Sequence, residues 1–360
     1  MIKRICFFSG GFAFNRLIRM RFYEKIFPKN VEMFLFTTSK YDVKTREQWD
    51  LKRTKVKIVR YHPVKTMFDL RKFCREKKIE RLVNLGAPGA GIPFIIATLF
   101  QKTDYLAGYY GTVFKYRVTK TFFQSVKKFL LLPQYLVVSH FAEKLTFTDI
   151  ESYNKANVLF LIPQNRINYS HAPVDTKLFI PKKSSAARKK LNLPQNKEIV
   201  LRVGRINYGK CGDILVNLIE KNPDKFFVLI GEWLEEEIPR RKSNNLLHID
   251  KKSSKELVDY YNASDLCFCL HRHGNGIGIT AEESLACGVP VILPDTLTMQ
   301  DSPAIIKTPI SSEQVDKRLK EFFSLPKKER KKITKEAREY AEKYCSDDIW
   351  KKEYIKFHLT

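Results

Sequence analysis

The feature that most constrains this chain is a recurrence of short, continuously apolar runs separated by charged, helix-compatible stretches. In the first half the runs are "IKRICFF", "VEMFLFTT", "VKIVRY", "RLVNLG", "DYLAG", "YLVVS" and "VLFLIP". In the second half "EIVLRVG", "FFVLIGE", "DLCFCL" and "VPVILP" play the same part. A strand with one face in water alternates apolar and polar residues. A run that is apolar throughout suits a parallel strand covered on both faces. Repeated strand–helix alternation predicts an α/β fold with crossover connections.

The series pauses once, at "APVDTKLFIPKKSSAARKKLNLPQNK", which is rich in Pro, Ser and Lys and lacks a strand pattern. A linker over residues 173–196 is expected there. It divides the 360 residues into two doubly wound, Rossmann-like domains, residues 1–172 and 197–335, each long enough to bury a core. Such sheets bind ligands at the carboxyl ends of their strands, so a cleft between the two domains is the expected site. The tail reads as helix, with a break near Cys345 and Ser346. No internal repeat is visible.

Charge narrows the partners. Lys and Arg number 65 against 39 Asp and Glu, a net of +26. Residues 1–170 hold 31 basic against 12 acidic residues, a net of +19, and the remainder carries +7. Such an excess asks for an anionic partner: nucleic acid, an acidic membrane surface or a phosphorylated substrate. The nucleic-acid reading rests on charge alone and lacks a recognition motif. Seven cysteines without Cys-x-x-Cys spacing fit a reducing compartment and no disulfide framework. The longest apolar run, "GIPFIIATLF", is too short to span a membrane. The start "MIKRICFFSGG" reads as a first buried strand rather than a signal peptide. A cytoplasmic protein is expected.

Three passages carry candidate chemistry. In "VGRINYGKCGD", Arg205 and Lys210 follow a strand and are flanked by Gly204, Gly209 and Gly212. Glycines let a ligand approach the backbone, and two cations at a strand end suit a diphosphate. A surface turn with two solvated charges is the competing reading. In "HGNGIGITAEESLACGVPV", Gly274, Gly276 and Gly278 allow a tight loop, and a helix starting near Thr280 would aim free N–H groups at an anion. Glu283, on its first turn, could accept from two adjacent ribose hydroxyls. Glu282 is expected to be a helix-start carboxylate without a ligand role. In "FFSGGFAFNRL", Gly10 and Gly11 sit at a strand–helix turn that is not a dinucleotide fingerprint.

The order and spacing of "APVDTKLFIP", "VGRINYGKCGD", "FFVLIGE", "YYNASDLCFCL" and "GNGIGITAEESLACGVPV" resemble glycosyltransferase family 4 over residues 172–295. The first half matches in outline. The resemblance implies the GT-B fold, retention of configuration at the sugar and no metal or other cofactor. The tail "AREYAEKYCSDDIWKKEYIKF" resembles the family's final helices, so residues 336–360 are expected to return to the first domain. By the same resemblance Arg205 and Lys210 bind the donor's diphosphate and Glu283 holds the nucleotide ribose. Gly204 and the backbone at Gly278, Ile279 and Thr280 meet the diphosphate or sugar, and Gly10 and Gly11 form a first-domain loop at the reacting centre.

The chain departs from the family at informative points. The first Glu of the family's Glu-x7-Glu motif is here Asn275, which loses the charge and gains donors. The usual Pro-Ser is His271-Arg272. The first-domain histidine is replaced by Tyr110, and His140 is the nearest alternative on the acceptor side, with a helix-start histidine as the plainer reading. "VFKYRVTKTFFQSVKKFLLLP", residues 113–133, interleaves cations and aromatics as an anionic bilayer surface would favour, or as an amphipathic helix with a solvated basic face would. The expected function is transfer of a sugar from a nucleotide-diphosphate sugar to a sugar, lipid-linked or glycan acceptor at the membrane face. An inactive GT-B binding protein is the alternative.

Overall fold

The computed structural model describes residues 1–10, 14–39, 51–85, 91–109, 132–148, 150–169, 173–240, 243–272, 277–297 and 299–360. Two compact units divide the chain: Met1–His171 together with Lys351–Thr360, and Ala172–Trp350.

In the first unit seven strands form one parallel sheet: β1 (Arg4–Ser9), β2 (Glu32–Ser39), β3 (Lys55–Arg60), β4 (Arg81–Asn84), β5 (Asp104–Tyr109), β6 (Lys144–Phe147) and β7 (Ile167–Tyr169). Their order is β3-β2-β1-β4-β5-β6-β7, which places the first strand in the interior, between β2 and β4. The helices are α1 (Phe14–Ile26), α2 (Pro63–Glu76), α3 (Gly91–Thr98), α4 (Leu132–Phe141) and α5 (Ile150–Phe160). Pro63 opens α2, where its missing N–H costs nothing, and the His62 ring nitrogen accepts from the Lys65 N–H at 3.1 Å.

Two expected strands are helical. "YLVVS" lies inside α4 and "VLFLIP" begins in α5, while the strands are the shorter β6 and β7. The physical reason shows in α4: Val138, Ser139 and Ala142 are buried while Leu136 and Val137 face outward. That is a helical period, which a short apolar run conceals.

The second unit has a six-stranded parallel sheet of β8 (Ile199–Val203), β9 (Phe226–Ile230), β10 (Leu246–Ile249), β11 (Leu266–Phe268), β12 (Val291–Pro294) and β13 (Ile305–Thr308), in the order β10-β9-β8-β11-β12-β13. Around it lie α6 (Ser184–Lys190), α7 (Gly212–Lys221), α8 (Ser254–Ala263), α9 (Ile279–Ala286), α10 (Ser312–Ser324) and α11 (Lys327–Tyr340). Alternate residues of β8 enter different cores: Ile199, Leu201 and Val203 on one face, Val200 on the other. This double burial is why the strand is apolar at nearly every position. A capping box starts α8, with Ser253 and Glu256 each accepting from the other's backbone N–H.

Residues 173–196, expected as a linker, fall within the second unit and contain α6. The basic run conceals one inward turn. Ala187 and Arg188 are buried, and Arg188 pairs with Asp265 at 2.7 Å and donates to the Ala263 carbonyl at 2.8 Å.

The last helix, α12 (Asp347–Leu359), begins in the second unit, and from Lys351 it belongs to the first. The return to the first unit is therefore shorter than residues 336–360, because α11 packs on α9 in the second unit. Within the first unit Ile2 N–H donates to the Leu359 carbonyl at 2.9 Å, and Arg81 donates to the His358 carbonyl at 3.0 Å. His358 is fully buried against Tyr23, Phe27 and Tyr354. Among the described residues no helix is long and apolar enough to cross a membrane.

Candidate active site

Strand β8 lies between β9 and β11 at the point where the strand order reverses, so its carboxyl end opens the crevice in which such sheets take ligands. There the backbone is laced to the neighbouring loop. Gly204 N–H donates to the Ile230 carbonyl at 2.8 Å, and Ile206 N–H to the Glu232 carbonyl at 2.9 Å. Gly231, at φ 143°, crosses so close that a Cβ on it would stand 2.3 Å from the Gly204 carbonyl oxygen. Only glycine fits that crossing. A single 3-10 turn, Tyr208–Lys210, follows, with the Asn207 side chain accepting from the Lys210 N–H at 3.0 Å.

This stretch collects positive charge. Arg205 and Lys210 are exposed, and among the described residues neither side chain meets a carboxylate. Arg202, the penultimate residue of β8, is 3% exposed and lies nearby. Although Lys210 keeps exposed surface, the protein packed around its ammonium lowers its pKa, helped by the charges of Arg202 and Arg205. Three cations with no carboxylate among them favour an anion.

Arg272 fixes the shape of the turn. Its guanidinium grips both oxygens of Asp213, on the first turn of α7, at 2.7 and 2.8 Å. It also donates to the Tyr208 carbonyl and lies 3.8 Å from the centre of the Tyr208 ring, while its N–H donates to the Gly209 carbonyl at 3.0 Å. The bidentate fork and the stacked ring hold the turn from two sides. Sequence reasoning noted Arg272 as a departure without giving it a role, because its partners lie about sixty residues away.

Helix α9 begins at Ile279, capped by Gly278 at φ 85°. The N–H groups of Ala281 and Glu282 turn back to the Gly278 carbonyl, and among the described residues those of Ile279 and Thr280 have no acceptor, which leaves them as the helix-start donors. Cys269 links this helix start to the cations. Its thiol is held below the usual cysteine range, first by Cys267 at 3.4 Å and then, against burial, by Arg202, the Thr280 hydroxyl and Lys210.

Glu283 lies one turn into α9 rather than on its first turn, and it is buried. Burial pushes its carboxyl up to about 8, opposed by the Tyr261 hydroxyl, which donates to Oε2 at 2.8 Å, and reinforced by Glu282 and Cys269. Glu282 stands on the first turn of α9, where a helix-start carboxylate is expected, yet it is 1% exposed and lies near Tyr340 and Cys345.

Gly204, Arg205, Lys210, Gly278, Ile279, Thr280 and Glu283 thus all belong to the second unit. Gly10, exposed at the end of β1, and His140 belong to the first. His140 sits in the last turn of α4, not at a helix start, with Nδ1 3.0 Å from the Leu136 carbonyl. Gly11, Tyr110, Asn275 and nearly all of residues 113–133 lie outside the described residues. Arg202 was missed, although an arginine inside the apolar run "IVLRV" is itself a signal. Among the described residues no group of three His, Cys, Asp or Glu side chains could hold a metal ion.

Residues 183–340 match the family described as glycosyl transferases group 1. A D-inositol 3-phosphate glycosyltransferase of Mycolicibacterium smegmatis is 29% identical over 158 residues, 40% of this chain and 36% of that protein. The corresponding protein of Thermobispora bispora is 25% identical over 169 residues, 42% of this chain and 39% of its own. The chain thus matches little more than a third of the length of these relatives. Whole-chain likeness is found among solved structures. Sucrose-phosphate synthase from Thermosynechococcus elongatus superposes with a TM-score of 0.78 at 16% identity, over 98% of both chains. Anabaena Alr3699/HepE, in complex with UDP, gives 0.77 at 13% identity over 99% of both. The fold is GT-B.

Proposed function

We propose that this chain, whose residues 183–340 match the glycosyl transferases group 1 family, is a glycosyltransferase that moves a hexose-type sugar from a nucleotide-diphosphate sugar to an acceptor hydroxyl. The observation that carries the reading is the placement of Arg205 and Lys210. Both follow the carboxyl end of β8 without a carboxylate among the described residues, and Lys210 acts on the same Cys269 thiol as the Thr280 hydroxyl at the start of α9. The UDP bound by HepE, whose fold this chain shares, supports a nucleotide donor.

In this reading the bond between the anomeric carbon and the diphosphate oxygen breaks while the acceptor oxygen bonds the same carbon from the same face, so configuration is retained. The acceptor proton passes to the departing diphosphate. Negative charge grows on that diphosphate, and Arg205, Lys210 and the N–H groups of Ile279 and Thr280 are fixed in advance to meet it. Cationic side chains take the part that a metal would otherwise play. Glu283 is assigned to the ribose, and Asn275, outside the described residues, to the sugar. The acceptor is presented at an anionic membrane surface, which the +19 net charge of residues 1–170 would attract.

A thermal-shift screen of nucleotide sugars identifies the donor, since a ligand bound only by the native state raises the melting temperature. Product formation from that donor, with the anomeric configuration read by NMR and chelator present, tests the rest. Inversion of configuration or a metal requirement would overturn those parts. Binding without transfer or donor hydrolysis would favour the inactive GT-B reading that Asn275 suggests.

A further inference from the structure

We propose that Arg202 is a third ligand-binding cation of this site, its guanidinium receiving phosphate oxygens of the diphosphate that Arg205 and Lys210 meet; the inference rests on the diphosphate reading above. Four cationic side chains of the described residues are nearly excluded from water: Arg81, Arg188, Arg202 and Lys225. Three have a carboxylate in contact. Arg81 pairs with Asp104 at 3.1 Å, Arg188 with Asp265 at 2.7 Å, and Lys225 with Glu198 at 2.9 Å. Among the described residues Arg202 has none. Among the described residues its side chain makes one hydrogen bond, from Nη1 to the Phe268 carbonyl at 3.1 Å, and its guanidinium carbon lies 5.9 Å from the Phe268 ring centre.

A buried charge without a counter-ion is costly, so a fold that keeps one either spends stability or saves the position for an anion. The surroundings favour the second. A Cβ on Gly204 would stand 3.8 Å from Nη2, so the guanidinium lies beside the bare backbone at which a diphosphate would arrive. Arg202 and Arg205 both act on Lys210, which groups the three cations. Acids that Arg202 acts on include the thiols of Cys267, Cys269 and Cys211. A single thiolate would still leave the cations in excess. A guanidinium fork matches two phosphate oxygens, whereas a lysine offers a point charge.

The test compares the full-length wild type with Arg202→Met, Arg202→Lys and Lys210→Ala, titrated with inorganic pyrophosphate, UDP and uridine, with the melting temperature of each unliganded protein recorded. Arg202→Met should hold or raise the unliganded melting temperature, because it removes an uncompensated buried charge. It should weaken pyrophosphate and UDP by roughly tenfold to a hundredfold, the scale of a charged hydrogen bond, and leave uridine unchanged. Arg202→Lys should recover part of the loss. If Arg202→Met does not fold, Arg202→Gln, which keeps a donor for the Phe268 carbonyl, carries the same comparison. A fall in melting temperature with wild-type affinity for pyrophosphate and UDP would make Arg202 a structural residue and overturn the inference while the diphosphate reading stands. Failure of the wild type to bind either phosphate ligand, or equal binding by wild type and Lys210→Ala, would overturn the diphosphate reading itself.

Discussion

The Tyr261 hydroxyl on α8 donates to Oε2 of Glu283 on α9 at 2.8 Å, and both side chains are shut off from water. Burial lifts the carboxyl from 4.5 to about 8. The folded protein therefore keeps a proton that the unfolded chain releases above pH 4.5, so this group costs stability as pH rises from 4.5 to 8. Glu283→Gln keeps an acceptor for Tyr261 and removes that cost. The variant should gain on the order of 3 kcal/mol at neutral pH, with the gain vanishing near pH 4.5. Urea unfolding across that range is the check, and a pH-independent difference would contradict the protonated form. The same variant should also lose nucleotide affinity if Glu283 holds the ribose.

Lys210→Ala should lower turnover by roughly a hundredfold to a thousandfold, the scale for removing one preorganised group that meets developing charge. Arg205→Ala should do the same. Single-turnover rates at saturating donor separate this effect from weaker binding. Intact turnover in both variants would remove the diphosphate from this end of β8.

Arg272 should matter through the turn it holds. Arg272→Lys loses the fork on Asp213 and the flat contact with Tyr208, and should lower stability by about 1 kcal/mol, since the pair is partly exposed. The donor KM should rise more than kcat falls. Unchanged kinetics beside the lost stability would show that the Tyr208–Lys210 turn keeps its shape unaided.

How much of this was legible in the sequence depends on where each partner lies. The strands that flank the candidate site were readable because burial on both faces makes them apolar at nearly every position. The same logic misled at "YLVVS", where a helical period is too short to see. Arg205 and Lys210 could be proposed from local glycines and charge. The Arg272–Asp213 grip and the Tyr261–Glu283 bond could not, since each joins residues that only the fold brings together. Glu282 could be placed at a helix start, but nothing in "TAEES" tells that this face packs inward.

Acid should loosen the first unit through His358. Burial holds this imidazole at about 3 against an ordinary 6.5, so the unfolded chain takes up a proton that the folded one refuses. The neutral form's full stability is present above 6.5 and falls as pH drops from there toward 3, with about 2 kcal/mol lost by pH 5. Denaturant midpoints at pH 7.5 and 5.0 measure the slope. His358→Phe should reduce it, and an equal slope in the variant would assign the acid response elsewhere.

Liposome co-sedimentation checks the membrane contact. Binding should require acidic lipid and weaken with salt, because exposed charges are screened beyond about 8 Å at physiological ionic strength. Replacing Lys127 and Lys128 with Glu should release the protein without unfolding it. Failure of the wild type to bind acidic and neutral vesicles alike at low salt would leave the positive charge to a soluble anionic acceptor.

The seating of Lys351–Thr360 in the first unit sets an order of events during synthesis. The unit whose strands leave the ribosome first needs Tyr354, His358 and Leu359 to close its core, and these are translated after the whole of the second unit. At about 5–20 residues per second that wait is on the order of ten to forty seconds. Over that interval the nascent first unit keeps the aromatic side chains of Tyr23 and Phe27 uncovered, and the second unit, contiguous in sequence, is complete before it.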